Sequence, residues 1–100
     1  FSDFIACTET LIKDKYTSVN QLIVSGGSAG GILMSVVINK WLESFKAVIT
    51  RVLFVNVLNA MLDTSLPLTP GEYQEWGNPS DLEYYNYIAL YCPYTNIKRQ

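Results

Sequence analysis

Gly26-Gly27-Ser28-Ala29-Gly30-Gly31 holds one hydroxyl among small residues, between a short apolar run, Gln21-Leu22-Ile23-Val24-Ser25, and a helical one, Ile32 to Ile38. A serine at a sharp strand-to-helix turn has nucleophile geometry. Its Oγ stands clear of the backbone, and the next residue's N–H opens a helix, where negative charge is stabilised. The core Gly26-Gly27-Ser28-Ala29-Gly30 fits G-x-S-x-G. Glycine is expected on both sides, at Gly26 and Gly30, because the turn is strained and a Cβ there would meet neighbouring backbone. A glycine-rich loop with a structural serine is the plainer alternative; the flanking strand and helix patterns favour the elbow.

A serine nucleophile ordinarily gives its proton to an imidazole, and the 100 residues include no histidine. Either the base comes from other parts of a larger enzyme or the serine is a relic. A segment is the expectation, since the chain starts at Phe1, has its first methionine at Met34 and stops at Ile97-Lys98-Arg99-Gln100.

Hydrophobic residues make up 49% of the chain, more than a small domain needs, so some apolar surface is expected to lie against partners. A net charge of −2 with seven scattered basic residues gives no footprint for nucleic acid or for an acidic membrane surface. Ser35, Asn39, Arg51 and Asn56 break the apolar stretches before they reach the roughly 18 residues of a membrane span. The Phe1 end carries no secretory pattern. Cys7 and Cys92 stand far apart, outside any C-x-x-C pair, so buried free thiols, no metal, no cofactor and a cytoplasmic location are expected.

The elements needed to position Ser28 are legible. Phe1, Phe4, Ile5, Thr8, Leu11 and Ile12 recur at helical spacing over the first sixteen residues. The elbow helix runs to about Trp41–Phe45. Ala47 to Val57 is nearly continuous in apolar and β-branched residues, the pattern of a parallel strand buried on both faces. Pro67 and Pro70-Gly71 mark loops, Asn78-Pro79 a turn, and Asp81 to Tyr91 a Tyr-rich helix stopped by Pro93. The fold class is α/β: a right-handed βαβ unit with flanking helices, part of an α/β-hydrolase fold. Adjacent parallel strands are expected around Leu22–Val24 and Ala47–Val55, with Ser28 at the turn after the first. Two strands leave open edges, which favour association of the free segment into oligomers.

Beyond the elbow, Met61-Leu62-Asp63-Thr64-Ser65-Leu66-Pro67-Leu68-Thr69, Gly71-Glu72-Tyr73-Gln74-Glu75-Trp76-Gly77-Asn78-Pro79 and Tyr91-Cys92-Pro93-Tyr94-Thr95-Asn96 carry a resemblance. The chain resembles the prolyl oligopeptidase family of serine peptidases, in its branch that cleaves after basic residues. The similarity covers almost the whole chain. It implies that residues 1–100 are a central segment of an α/β-hydrolase catalytic domain, without the β-propeller that admits only short peptides. Ser28 would be the nucleophile and the Ala29 N–H one oxyanion donor. The second donor, a tyrosine hydroxyl, would lie upstream, and the catalytic aspartate and histidine downstream of Gln100.

Glu72 corresponds to the carboxylate that holds Lys or Arg before the cleaved bond, and Trp76 to an aromatic wall of that pocket. A carboxylate flanked by Tyr73 and Trp76 would pair a guanidinium at two points. The plain alternatives are an exposed loop glutamate and a core tryptophan. The chain departs from the family's usual wording at Leu53, Asn56, Gln74 and Thr95, and Gln74 weakens a dibasic preference. The expected function is a serine endopeptidase acting on short peptides after Lys or Arg. An inert interaction fragment or decayed enzyme, and another acyl hydrolase or esterase, stay open. Without an imidazole, the isolated chain is expected to show no stoichiometric labelling of Ser28 by a serine-directed phosphonate, checked by intact-mass spectrometry.

Overall fold

Helix α1 (Ser2–Lys13) turns Ile5 and Thr8 inward, and the buried Thr8 hydroxyl donates to the Phe4 carbonyl at 3.0 Å. Phe1 and Leu11, which share its apolar spacing, are exposed. The helix ends where Lys15 adopts φ 63°, with the Tyr16 N–H returning to the Leu11 carbonyl, a six-residue closure usually built on glycine. The computed structural model describes residues 1–99, of Val52 and Leu53 the backbone alone. It divides into two compact units, Phe1–Phe54 and Val55–Gln100.

In the first unit, β1 (Ile23–Ser28) leads directly into α2 (Ala29–Trp41), and a 3₁₀ turn, Leu42–Ser44, brings the chain back to β2 (Ala47–Leu53). The strands are parallel and paired from Ile23↔Ala47 to Gly27↔Arg51, followed by a register slip to Ser28↔Leu53. This is the expected βαβ arrangement. Val24, Met34, Val37, Phe45 and Ile5 form the buried cluster over one face of the sheet, with Phe4, Leu22, Leu33, Trp41 and Val48 packed around it.

The opposite face differs from the expectation of a strand buried on both sides. Ile23, Ser25 and Gly27 of β1 and Ala47, Ile49 and Arg51 of β2 alternate onto that face, and all six are exposed. The physical reason is the single helical layer: within the Phe1–Phe54 unit the helices pack on one side of the sheet, and that unit has no layer for the other. The strands also end differently from the sequence pattern. β1 continues through the glycines to Ser28, and β2 stops at Leu53 because its last partner, Ser28, turns away into α2.

In the second unit, Val57, expected to close a strand, opens α3 (Val57–Leu62), which buries Val57, Leu58 and Met61. Pro70 begins a 3₁₀ turn, Pro70–Glu72, that runs into the short helix α4 (Tyr73–Trp76), where a loop was expected. Proline halts a helix from inside but suits its first turn, where the missing N–H has no intrahelical partner. Gly77 ends α4 at φ 85°, and a Cβ there would collide with the Tyr84 ring.

The last helix, α5 (Leu82–Tyr91), appears as expected. Asp81 caps it by accepting the Glu83 N–H at 3.0 Å. Asn96 closes its far end by donating to the Ala89 and Cys92 carbonyls at 2.8 and 2.9 Å. The Tyr94 N–H donates to the Val55 carbonyl at 3.1 Å, tying the end of this unit to its beginning.

The two elbow glycines are not equivalent. A Cβ at Gly26 would lie 2.5 Å from the Gly30 carbonyl oxygen and 2.6 Å from Met34 Cγ, whereas one at Gly30 would meet nothing within 4 Å. The steric expectation therefore holds at Gly26 and fails at Gly30. Gly30 sits in the first turn of α2, where its neighbours leave that direction open. Gly26→Ala is expected to destabilise the chain by about 1–3 kcal/mol, and Gly30→Ala to change stability by less than about 1 kcal/mol, on the stabilising side. Urea titration of the two variants checks this ordering.

Candidate active site

Ser28 is the last residue of β1 and the residue from which α2 departs, with φ 51° and ψ −123°. These angles belong to the first central position of a type II′ turn, a place normally given to glycine. Among the described residues only Lys15 shares a positive φ with a side chain present. A non-glycine residue held there costs about 1–3 kcal/mol and persists only when its surroundings over-determine it. Those surroundings are visible: β1 is pinned by its pairing to β2, and α2 lies against the end of β1 at Gly26. Ser28 is exposed at the resulting corner.

Ala29 is the first residue of α2, and the first four N–H groups of a helix have no intrahelical partner. Over the 13 residues of α2 the peptide dipoles sum to about half a positive charge at this end. A negative oxygen forming on a carbonyl attacked by Ser28 would meet that N–H and that field. Gly26 and Gly27, which precede the serine, are half-buried and exposed. A Cβ at Gly27 would lie 3.3 Å from the Arg51 carbonyl oxygen, so this position too is kept small by the neighbouring strand.

Glu72 and Trp76 lie in the other unit and are brought together there. Glu72 ends the 3₁₀ turn and precedes α4, and Trp76 ends α4 one helical turn later. The Trp76 indole N–H donates to Glu72 Oε2 at 3.1 Å, and both residues are half-buried. Glu72 is therefore neither a free loop glutamate nor fully enclosed. Tyr73 is half-buried, while Gln74 and Glu75 are exposed. The loop upstream is fixed by the buried Thr69, whose hydroxyl donates to the Ala60 carbonyl at 2.9 Å.

The two thiols part company. Cys92 is buried and free, as expected, but Cys7 is exposed on α1, two residues along the helix from Ile5 and so turned off its inward face. At Cys92, burial pushes the thiol up, but hydrogen bonds from the Thr95 side chain and from the backbone of Leu58, Thr95 and Tyr94 together hold it below the usual thiol range. Its Sγ also donates to the Val55 carbonyl at 3.8 Å. Sequence reasoning missed this cluster. No motif marks it in the sequence: Thr95, which serves the thiol here, simply follows Cys92 by three residues. Among the described residues no group of three His, Cys, Asp or Glu could hold a metal, and no helix is long and apolar enough to cross a membrane.

Strain at Ser28 gives a direct test of the corner. Ser28→Gly relieves the φ penalty and Ser28→Ala keeps it, so the glycine variant is expected to be the more stable by about 1 kcal/mol, although glycine elsewhere in a strand destabilises. Paired denaturant titrations measure the difference.

The same geometry recurs in known proteins. The Leishmania major oligopeptidase B structure superposes with a TM-score of 0.95 at 47% identity, covering 100% of this chain and 14% of that one. Oligopeptidase B from Trypanosoma brucei, solved in a closed form with covalently bound antipain, gives 0.94 at 43% identity over 98% of this chain and 14% of that one. By sequence, dipeptidyl aminopeptidase BI of Pseudoxanthomonas mexicana is 47% identical over 98 residues, 98% of this chain and 14% of the relative. Human prolyl endopeptidase-like protein is 44% identical over 100 residues, 99% of this chain and again 14% of the relative. The chain thus spans about a seventh of the length of the relatives it matches. With the family model matching residues 1–100 throughout, the chain belongs to the prolyl oligopeptidase family.

Proposed function

We propose that the whole protein is a serine endopeptidase that hydrolyses short peptides after Lys or Arg through an acyl-enzyme on Ser28. The observation that carries this is the strained corner: an exposed hydroxyl at φ 51°, set at the positive end of α2. Ser28 Oγ attacks the scissile carbonyl and forms the ester bond. Its proton passes to an imidazole supplied outside these residues and then to the leaving amine as the C–N bond breaks. Water then attacks the ester, and the reverse proton transfers release the acid and restore Ser28. The Ala29 N–H stabilises the oxyanion in both steps, a contribution of about 100- to 1,000-fold for one such donor.

Covalently bound antipain in the Trypanosoma brucei relative supports covalent chemistry in this family. The remainder of the protein is the partner of this segment, supplying the aspartate, the histidine and a propeller that restricts substrates to short peptides. The unpaired thiols favour a cytoplasmic location. No cofactor takes part in this scheme.

Glu72 is the partner of the basic side chain. A carboxylate already held by an indole and half-withdrawn from water is suited to pair a guanidinium or an ammonium. In the whole protein, Glu72→Gln is expected to lower kcat/KM for substrates with Arg or Lys before the cleaved bond by about thirty- to several-thousand-fold, the range for breaking one side of a desolvated pair. A neutral residue at that position should be spared. Steady-state kinetics with fluorogenic peptides, together with phosphonate labelling of Ser28 in the whole protein, check both assignments. A whole protein whose Ser28 resists labelling would be an inert member of the family.

A further inference from the structure

We propose that Trp76 is a positioning residue for Glu72, fixing the carboxylate plane so that it meets a guanidinium at two points, and that this bond sets a preference for Arg over Lys. The proposal rests on the reading of Glu72 as the partner of a basic side chain. Its observation is the indole N–H of Trp76 donating to Glu72 Oε2 at 3.1 Å, between two half-buried side chains.

The two residues are four apart across the turn that joins Pro70–Glu72 to α4, so they share one face. The last torsion of a glutamate is broad and, left alone, lets the carboxylate swing. A donor fixed to one oxygen restricts that swing. The indole suits this task because it carries one donor and no acceptor, so it occupies one of the roughly four acceptor sites of the carboxylate and does not compete for the guanidinium.

The two basic side chains read this restriction differently. An ammonium is a compact point charge with three rotating donors, satisfied by a carboxylate in almost any orientation. A guanidinium is a planar fork that gains its second hydrogen bond only when both planes align. A carboxylate held in place therefore favours Arg, and a swinging one favours neither.

The test uses the whole protein and three fluorogenic peptides that differ only in the residue before the cleaved bond: Arg, Lys and citrulline, the neutral isostere of Arg. Trp76→Phe keeps an aromatic ring and removes the N–H. It is expected to lower kcat/KM for the Arg peptide by about three- to tenfold more than for the Lys peptide, the range for one ordinary hydrogen bond, since the Arg keeps its ionic contact and loses the alignment of its second bond. Glu72→Asp withdraws the carboxylate from the indole while keeping its charge, and is expected to compress the Arg-to-Lys ratio in the same way; it serves where the tryptophan variant does not fold.

An Arg-to-Lys ratio unchanged in the folded variants, or an equal fall for all three peptides, overturns the proposal. Glu72→Gln separates it from the reading beneath it. If that change lowers Arg and Lys relative to citrulline while the ratio resists Trp76→Phe, Glu72 keeps its role and Trp76 loses its own. If Glu72→Gln leaves Arg and Lys no worse off than citrulline, both fall together.

Discussion

The close approach of the first turn of α2 to the end of β1 is the constraint on which the rest of the first unit depends. Gly26 permits it, since any Cβ would press on the Gly30 carbonyl and Met34. Once the helix starts that close to the strand, the chain must reverse within two residues, and Ser28 takes the positive φ that makes the reversal. The penalty of about 1–3 kcal/mol is met by the packing on either side. α2 buries Met34 and Val37 on Val24, and β2 pairs with β1 as far as Leu53. The register slip falls between Gly27 and Ser28, where the strand must also become a helix. Pairing and helix entry compete for the same backbone, and the slip is how both are kept.

Much of this was legible because short-range rules dominate it. Glycine spacing, an apolar strand and a helical run specify an elbow without distant contacts, and the periodicities of α1 and α5 specify helices. Ser28, Ala29 and Gly26 stand where those rules put them. The failures share a different cause. The second face of the sheet carries residue types that parallel sheets bury, Ile23 and Ile49 among them, but burial needs a covering layer, and the Phe1–Phe54 unit holds helices on one face only. Pro70-Gly71 reads as a loop because proline and glycine interrupt helices, yet proline also opens them, and here it opens the turn that holds Glu72. The habit of cysteines to be buried points Cys7 inward, whereas its angle from Ile5 along α1 turns it outward.

The pairing of Glu72 with Trp76 was only half legible. Both residues are identifiable from the resemblance, but their bond depends on a helical turn between them, and reading Pro70-Gly71 as a loop hides that turn. Four residues in a loop can be far apart; four residues in a helix are neighbours. Secondary structure here decides whether a carboxylate and an indole are two separate features or one.

The chemistry of the chain divides along the same line as its structure. Ser28 and the Ala29 N–H come from consecutive residues, so the proposed nucleophile and oxyanion donor are aligned by one local turn. A base has no such local source, because the chain contains no histidine. In the proposed mechanism, positioning and charge stabilisation therefore fall to the Phe1–Phe54 unit, while proton transfer is a separate, long-range requirement. The proposed recognition group is separate again. Glu72 sits beside a helix of four residues, too short to hold a side chain by its own cooperativity, so its orientation depends on individual hydrogen bonds: Thr69 to Ala60 upstream and Trp76 to the carboxylate itself. Under the proposed function, a nucleophile set on a sheet and helix can tolerate change around it, but a recognition carboxylate set on a single turn has its geometry concentrated in one or two bonds, and specificity is the property most exposed to their loss.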